Sequence, residues 1–380
     1  MVTRRVPVFV VLVVLLISSL AGQAQGAPRV VDPPGTVQDV EALPPALGLA
    51  GVGEAYRVTY RSTDSRNDSA LVTGVVFVPK GPAPAGGWPV VSWTHGTVGL
   101  ARECAPSATG YSAHAKAHLE AWIAQGYAVV ATDYVIPGDP GVHPYLDGGT
   151  AARNAVDLVR AAHEVDGSLS PRWVAVGHSQ GGHAALFTGS SATRHAPGLD
   201  YRGAVAVAPA SGIVEQLVAQ AGPTTPDTVP AAGIAYFGYV LRGLKAARPD
   251  FDLAGYLTPA GEKLIAESER RCLADLIGWV EESKATVGAS LSKPMSEGRF
   301  AEIAHPVMDV PLTGYDRPLF IAQGTEDTDI RAAATRELVG ALRAGGNEHV
   351  THTEYAGQDH RTVLSAALPD ATLYVRNLLG

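Results

Sequence analysis

The sequence has little of what marks the commoner binding classes. No block of like charge stands out among its 380 residues, and Lys and Arg number 29 against 37 Asp and Glu. A nucleic-acid binder presents a basic face; a formal net charge of −8 with no such face excludes that class. Only two cysteines occur, Cys104 and Cys272, and no CxxC pair, so the dithiol redox and zinc patterns are excluded. His114 and His118 have the i, i+4 spacing of two metal ligands, but the Glu of a zinc-peptidase helix is missing and no third ligand is evident. They read as two histidines on a solvated helix face, with no metal. Internal repeats and low-complexity tracts are absent.

One long apolar run exists, residues 6–20, shorter than the roughly 20 residues a membrane span needs. Thr3-Arg4-Arg5 precedes it and the small residues Ala21-Gly22-Gln23-Ala24-Gln25-Gly26-Ala27 follow, the pattern of a secretory signal peptide. Cleavage is expected after Gly26 or Ala27, with Ala21 and Ala24 as competing sites. Residues 1–27 are thus expected to be removed, leaving a secreted, extracellular chain with no stable membrane span. In that compartment Cys104 and Cys272 are expected to form one disulfide.

What is present is a hydrophobic chain, 46% apolar and 17% charged, long enough for one large α/β domain with an insertion or for two ordinary domains. Residues 27–49 read as an extended arm without periodicity. Residues 55–60 and 71–78 read as a β-hairpin closed by Pro79-Lys80-Gly81-Pro82. Strands are then predicted over 88–93, 127–132, 173–176 and 204–208, alternating with helices over 113–125, 149–165 and 182–190. Such alternation predicts a mostly parallel sheet with helices on both faces. It lapses over 211–316, where residues 233–241 are apolar and aromatic and a helix is predicted over 262–282. There Leu264, Cys272, Leu276 and Val280 fall on one stripe. It returns with strands over 318–321 and 349–355 and helices over 330–344 and 361–379, the last interrupted at Pro369. The expected organisation is a core of residues 28–210 and 317–380 with an inserted cap of 211–316.

Gly177-His178-Ser179-Gln180-Gly181 sits between a predicted strand and a predicted helix. Gly-x-Ser-x-Gly alone is a weak signal, but the strand–turn–helix setting is the one a nucleophilic serine requires. The glycines keep side chains out of a strained turn, and the helix N-terminus favours the negative charge that develops beside the serine. Oxyanion donors are expected from the backbone N–H of Gln180 and of Gly96 or Thr97, in the loop after residues 88–93. The acid should precede the base in the chain. Asp327, just past strand 318–321 in Gln323-Gly324-Thr325-Glu326-Asp327, is the candidate acid, with Asp329 and Glu326 as rivals. His360, in the loop after the last strand, is the candidate base; His349 and His352 lie within a predicted strand. His178 and His183 read as packing or pocket-lining. Neither metal nor organic cofactor is called for.

These residues resemble the secretory lipase family over roughly residues 52–379. The likeness rests on Tyr60-Arg61-Ser62-Thr63, Val76-Phe77-Val78-Pro79, Trp93-Thr94-His95-Gly96-Thr97-Val98-Gly99 and Gly126-Tyr127-Ala128-Val129-Val130-Ala131-Thr132-Asp133-Tyr134. The serine motif, the Gly324–Asp327 turn and His360 complete it. The resemblance implies an α/β-hydrolase core, a helical cap inserted before the acid strand, and hydrolysis of carboxylic esters, often lipids. In that setting a Cys104–Cys272 bridge would tie the loop after the oxyanion segment to the cap. The favoured reading is therefore a lipase or carboxylesterase acting on acylglycerols or similar acyl esters. The alternative is the same fold acting on another acyl substrate, as a cell-envelope acyl-sugar esterase, acyltransferase or peptidase. A catalytically dead binding module is set aside by the complete Ser, Asp and His set. Tyr236, Phe237 and Tyr239, in the apolar cap segment, are the candidate substrate-contacting side chains.

Overall fold

Strands form where the chain is continuously apolar or alternates in period two. A computed structural model describes residues 1–3, 32–136, 138 and 141–380; beyond its first three residues, the expected leader of residues 1–27 lies outside them. Residues 32–380 build one compact unit around a nine-stranded sheet. The strands are β1 (Val37–Ala42), β2 (Val52–Thr63), β3 (Ser69–Pro79), β4 (Trp88–Thr94), β5 (Ala128–Thr132), β6 (Leu169–His178), β7 (Asp200–Val207), β8 (Leu319–Gly324) and β9 (Val350–Tyr355). Their spatial order is β1-β2-β3-β5-β4-β6-β7-β8-β9, antiparallel through the β3–β5 pair and parallel from β5 to β9.

Period-two alternation assigns each parallel strand's side chains to two separate cores. Val90, Trp173, Ala175, Ala204, Ala206, Leu319 and Ile321 pack on one face, beneath helices Gly148–Val165, Gln180–His195 and Ala332–Ala344. Val91, Trp93, Val174, Val176, Val205, Val207 and Phe320 pack on the other, beneath Ala113–Ala124, Thr362–Ala366 and Leu368–Leu379. Because both faces are covered, both sets of side chains are predominantly apolar, which is why these strands read as nearly continuous apolar runs. This is the α/β-hydrolase fold that the sequence predicted.

Between β7 and β8 no strand intervenes. Helices Ile213–Gln220, Ala231–Ala247, Pro259–Arg270, Leu273–Ser283 and Phe300–Met308 fill the gap and share a third apolar core that includes Phe237, Leu241, Leu264, Leu276 and Phe300. Among the described residues no helix is long and apolar enough to cross a membrane.

Three expectations are corrected. Within the arm expected over 27–49, residues 37–42 form strand β1, paired antiparallel with β2; its side chains are almost all exposed, so no apolar alternation announced it. The helix expected over 262–282 is two helices, broken at Arg271 and Cys272. There Cys272 pairs with Gly99, Leu273 donates its N–H to Val98, and Cys272 is disulfide-bonded to Cys104, so tertiary contacts override an unbroken helical stripe. His118 does not face solvent: it is 3% exposed, and its Nε2 accepts a 3.0 Å hydrogen bond from the Trp122 indole. Neither it nor His114 belongs to a group of metal-ligand side chains among the described residues.

The disulfide spans 168 residues of sequence, so its loss frees a long loop in the unfolded chain. Replacing both cysteines by serine is expected to cost about 2–4 kcal/mol, read as a lower urea midpoint. An unchanged midpoint would contradict it.

Candidate active site

The sheet order decides where a site can form. From β4 the chain crosses to β5 on one side, and from β5 it returns to β6 on the other side of β4. The two crossover helices lie on opposite faces, and a crevice opens at the carboxyl ends of β4 and β6. The His95-Gly96-Thr97 loop leaves the end of β4, and Ser179 leaves the end of β6.

Ser179 occupies φ +60°, ψ −122°, a region that side-chain-bearing residues rarely adopt. The turn is held by the Ser179 N–H donating to the Val207 carbonyl at 2.9 Å, and by its own carbonyl accepting from His183 and Ala210. The flanking glycines are steric necessities. A Cβ on Gly181 would lie 1.8 Å from the Thr94 carbonyl oxygen, and one on Gly177 would lie 2.1 Å from the Gly181 carbonyl oxygen. The helix Gln180–His195 therefore starts directly against β4, its N-terminus beside the serine.

His360 Nε2 accepts from the Ser179 hydroxyl at 2.9 Å, and His360 Nδ1 donates to Asp327 Oδ2 at 2.7 Å. Among the three carboxylates weighed from sequence, Asp327 makes this contact. Asp329 instead gives its backbone N–H to Asp327 Oδ1, as Ile330 does. Gln323, at the end of β8, completes the shell: its Nε2 donates to Asp327 Oδ2 at 2.9 Å, and its Oε1 accepts from Thr335. His352 lies in β9, as read, and His349 just before it.

Gly96 sits against the elbow, where a Cβ on it would be 3.7 Å from Ser179 Cβ. Among the described residues no protein acceptor takes the backbone N–H of Gly96, Thr97 or Gln180, leaving them free for a ligand. Two contacts fix these donors, and neither was read from the sequence. The Gln180 side-chain amide donates to His143 Nε2 at 2.8 Å, and the Tyr145 hydroxyl lies 2.5 Å from that of Thr97. Both partners come from the loop between β5 and the helix Gly148–Val165, which carried no recognisable motif. His178 also does more than pack: its Nε2–H donates to the His360 carbonyl at 2.7 Å and its ring lies 4.8 Å from that of His360. His183 donates to the Met308 carbonyl.

Two cavities meet at Ser179, Tyr236 and His360. The first, about 340 Å³, runs beneath the inserted helices and is lined by Ile213, Leu217, Val229, Phe237 and Val240 among others. The second, about 320 Å³, opens on the opposite side past Gly96 and Thr97 to Tyr111, His114 and Arg361. Gly233, Tyr236, Phe237 and Val240 share the helical stripe that faces the first cavity. Tyr239 is off that stripe and, against expectation, lines neither cavity: it is fully buried in the inserted layer, and its hydroxyl donates to the Arg271 carbonyl at 2.8 Å.

A family model described as Secretory lipase matches residues 107–378. Lipase A of Moesziomyces aphidis is 27% identical over 255 residues, which are 64% of this chain and 53% of that protein, so the chain spans about half the length of this curated relative. Among solved structures, Candida antarctica lipase A in its closed state aligns with a TM-score of 0.74 at 20% identity, covering 91% of this chain and 82% of its own. The rice cell wall degrading esterase LipA from Xanthomonas oryzae aligns at 0.73 and 16% identity, covering 92% and 99%. At these identities the structural likenesses are likenesses of fold.

Burial depresses several imidazoles: His118 and His178 to about 3, His143 and His183 to about 4, with the field of His360 adding at His178. The unfolded chain takes up these protons near the ordinary 6.5, whereas the folded chain resists until pH 3–4. Stability is therefore full above about pH 6.5 and falls as the pH drops towards 4, each neutral ring adding to the loss. The urea midpoint should drop steeply between pH 7.5 and pH 5; equal midpoints would contradict neutral burial. Gly181→Ala should abolish the elbow geometry and cost about 3 kcal/mol or more by overpacking against Thr94, measured as lost stability together with lost activity.

Proposed function

The chain belongs to the secretory lipase family, and from that premise we propose that it is a secreted serine hydrolase of carboxylic esters, a lipase or carboxylesterase. The observation that carries this reading is the continuous hydrogen-bond chain from Asp327 through His360 to the Ser179 hydroxyl. In the proposed cycle the Ser179 oxygen attacks the ester carbonyl carbon while His360 Nε2 takes its proton. Asp327, held by Gln323 and two backbone N–H groups, keeps the Nδ1–H tautomer of His360 and stabilises the imidazolium. The backbone N–H groups of Gln180 and of Thr97 or Gly96 receive the oxyanion. His360 then returns the proton to the leaving alcohol, and water, activated by the same imidazole, releases the acid from the acyl-enzyme.

The acyl chain lies in the first cavity. The side chains that the inserted segment contributes to this cavity are mostly apolar (Ile213, Leu217, Val229, Pro230, Phe237 and Val240), as a hydrocarbon chain requires; Gln216 and Asp329 are among the polar residues of the lining. On this reading residues 211–316 are a cap over the core of residues 28–210 and 317–380, and residues 1–27 are the export signal. Tyr236 and Phe237 contact substrate.

The test is a p-nitrophenyl ester series from acetate to palmitate. The wild type should turn over several members. Ser179→Ala should lose essentially all turnover, and Asp327→Asn should lower kcat by about 10⁴-fold. No turnover by the wild type at any chain length would overturn the reading.

A further inference from the structure

The second cavity differs from the first in electrostatics. Among the described residues no Asp or Glu lines it, whereas Arg361 does, together with His114 and the hydroxyl-bearing Tyr111 and Ser112. The first cavity carries Asp329 and no Arg, Lys or His apart from the shared His360. Arg361 is an exposed residue next in sequence to His360, and among the described residues no ion pair engages its guanidinium. The nearest carboxylate in sequence, Asp359, is turned instead to the backbone N–H groups of Arg361 and Thr362 and to the Thr362 hydroxyl. Arg361 is thus a permanent cation at the wall of a cavity that opens directly onto the nucleophile.

We propose that this second cavity receives the alcohol portion of the ester, and that Arg361 selects alcohols bearing a carboxylate or phosphate. The inference rests on the ester-hydrolase reading above and names the substrate class of that site. With the acyl chain in the first cavity, the second, lined by Thr97 and Arg361, also reaches Ser179 and offers the alcohol a place. A planar guanidinium suits either anion through paired N–H donors. Placed there it acts on the substrate's charge, leaving proton transfer at Ser179 to His360. Arg361 is therefore a specificity-determining residue.

The test compares anionic and neutral butyryl esters in pairs: 3-butyryloxybenzoate against the near-isosteric 3-butyryloxybenzamide, and 1-butyrylglycerol 3-phosphate against 1-butyrylglycerol. In each pair the wild type should show the higher kcat/KM on the anionic ester, by about fivefold. The preference should shrink towards one in 1 M NaCl. Arg361→Gln should remove most of it and Arg361→Lys should keep more of it than Gln, both read as the ratio within a pair. The two pairs distinguish carboxylate from phosphate as the favoured anion. Equal or better hydrolysis of the neutral partner in both pairs, or a ratio indifferent to Arg361→Gln and to salt, would overturn this inference alone. Hydrolysis of none of the four esters would overturn the hydrolase reading and this inference with it.

Discussion

The close seat of Gly181 on Thr94 is the contact on which the rest of the site depends. The Thr94 carbonyl leaves no room for a β-carbon at residue 181, and the Thr94 hydroxyl donates to the Gly181 carbonyl at 2.8 Å. That seat fixes the start of the helix Gln180–His195 against the end of β4 and forces Ser179 into its positive-φ turn. It also brings the β4 loop alongside the serine, so one packing constraint places Ser179, the Gln180 N–H and the Gly96–Thr97 segment together. The strain at Ser179 persists because the hydrogen bonds of its own N–H and C=O, to β7 and the segment after it, over-determine the turn.

Besides the backbone contacts of Cys272 and Leu273 with Gly99 and Val98, two side-chain routes tie the inserted layer to this centre. One is covalent: Cys104, on the loop that follows Thr97, is bonded to Cys272 at the start of the helix Leu273–Ser283. The other is a chain of ring contacts, His95 to Tyr134 at 4.4 Å, Tyr134 to His143 at 5.3 Å, His143 to Tyr145 at 6.4 Å, and Tyr145 to Tyr239 at 6.0 Å. Tyr239 belongs to the inserted helix Ala231–Ala247, so the rings lead from the β4 loop to the layer above. This gives Tyr239 a structural role: it joins two layers, while its neighbours Tyr236 and Phe237 face the cavity.

The sheet and the triad-like contact were legible because they obey short-range rules. Apolar runs specify doubly covered strands, and strand-end loops in a fixed chain order specify where Ser179, Asp327 and His360 must lie. What could not be read depends on partners distant in sequence. Gln323 is an unremarkable polar residue in a strand until Asp327 and Thr335 fold onto it. His143 and Tyr145 carry no pattern because their partners, Gln180 and Thr97, lie some 40 residues away. The break at Arg271 and Cys272 was hidden by an intact helical stripe, and β1 by its exposure. The choice of Asp327 over Asp329 turned on which carboxylate accepts and which backbone donates, a matter of turn geometry.

The histidines around Ser179 show how environment alone divides one residue type into different roles. His95, His143 and His183 are buried and His178 is half-buried, and His95, His143, His183 and His178 each give a ring N–H to a backbone carbonyl: Gly96, Val135, Met308 and His360 respectively. A carbonyl satisfies the neutral ring without repaying the desolvation of a charge, so burial prevails and each is driven below the ordinary range. His360 alone of these rings places a buried carboxylate at Nδ1 and a hydroxyl at Nε2. Asp327 sets a carboxylate against this ring where the other four rings donate to carbonyls, the arrangement that the proposed role of His360 requires. His178 then links the two populations: staying neutral, it holds the backbone of His360 through the carbonyl and adds no fixed charge beside that ring.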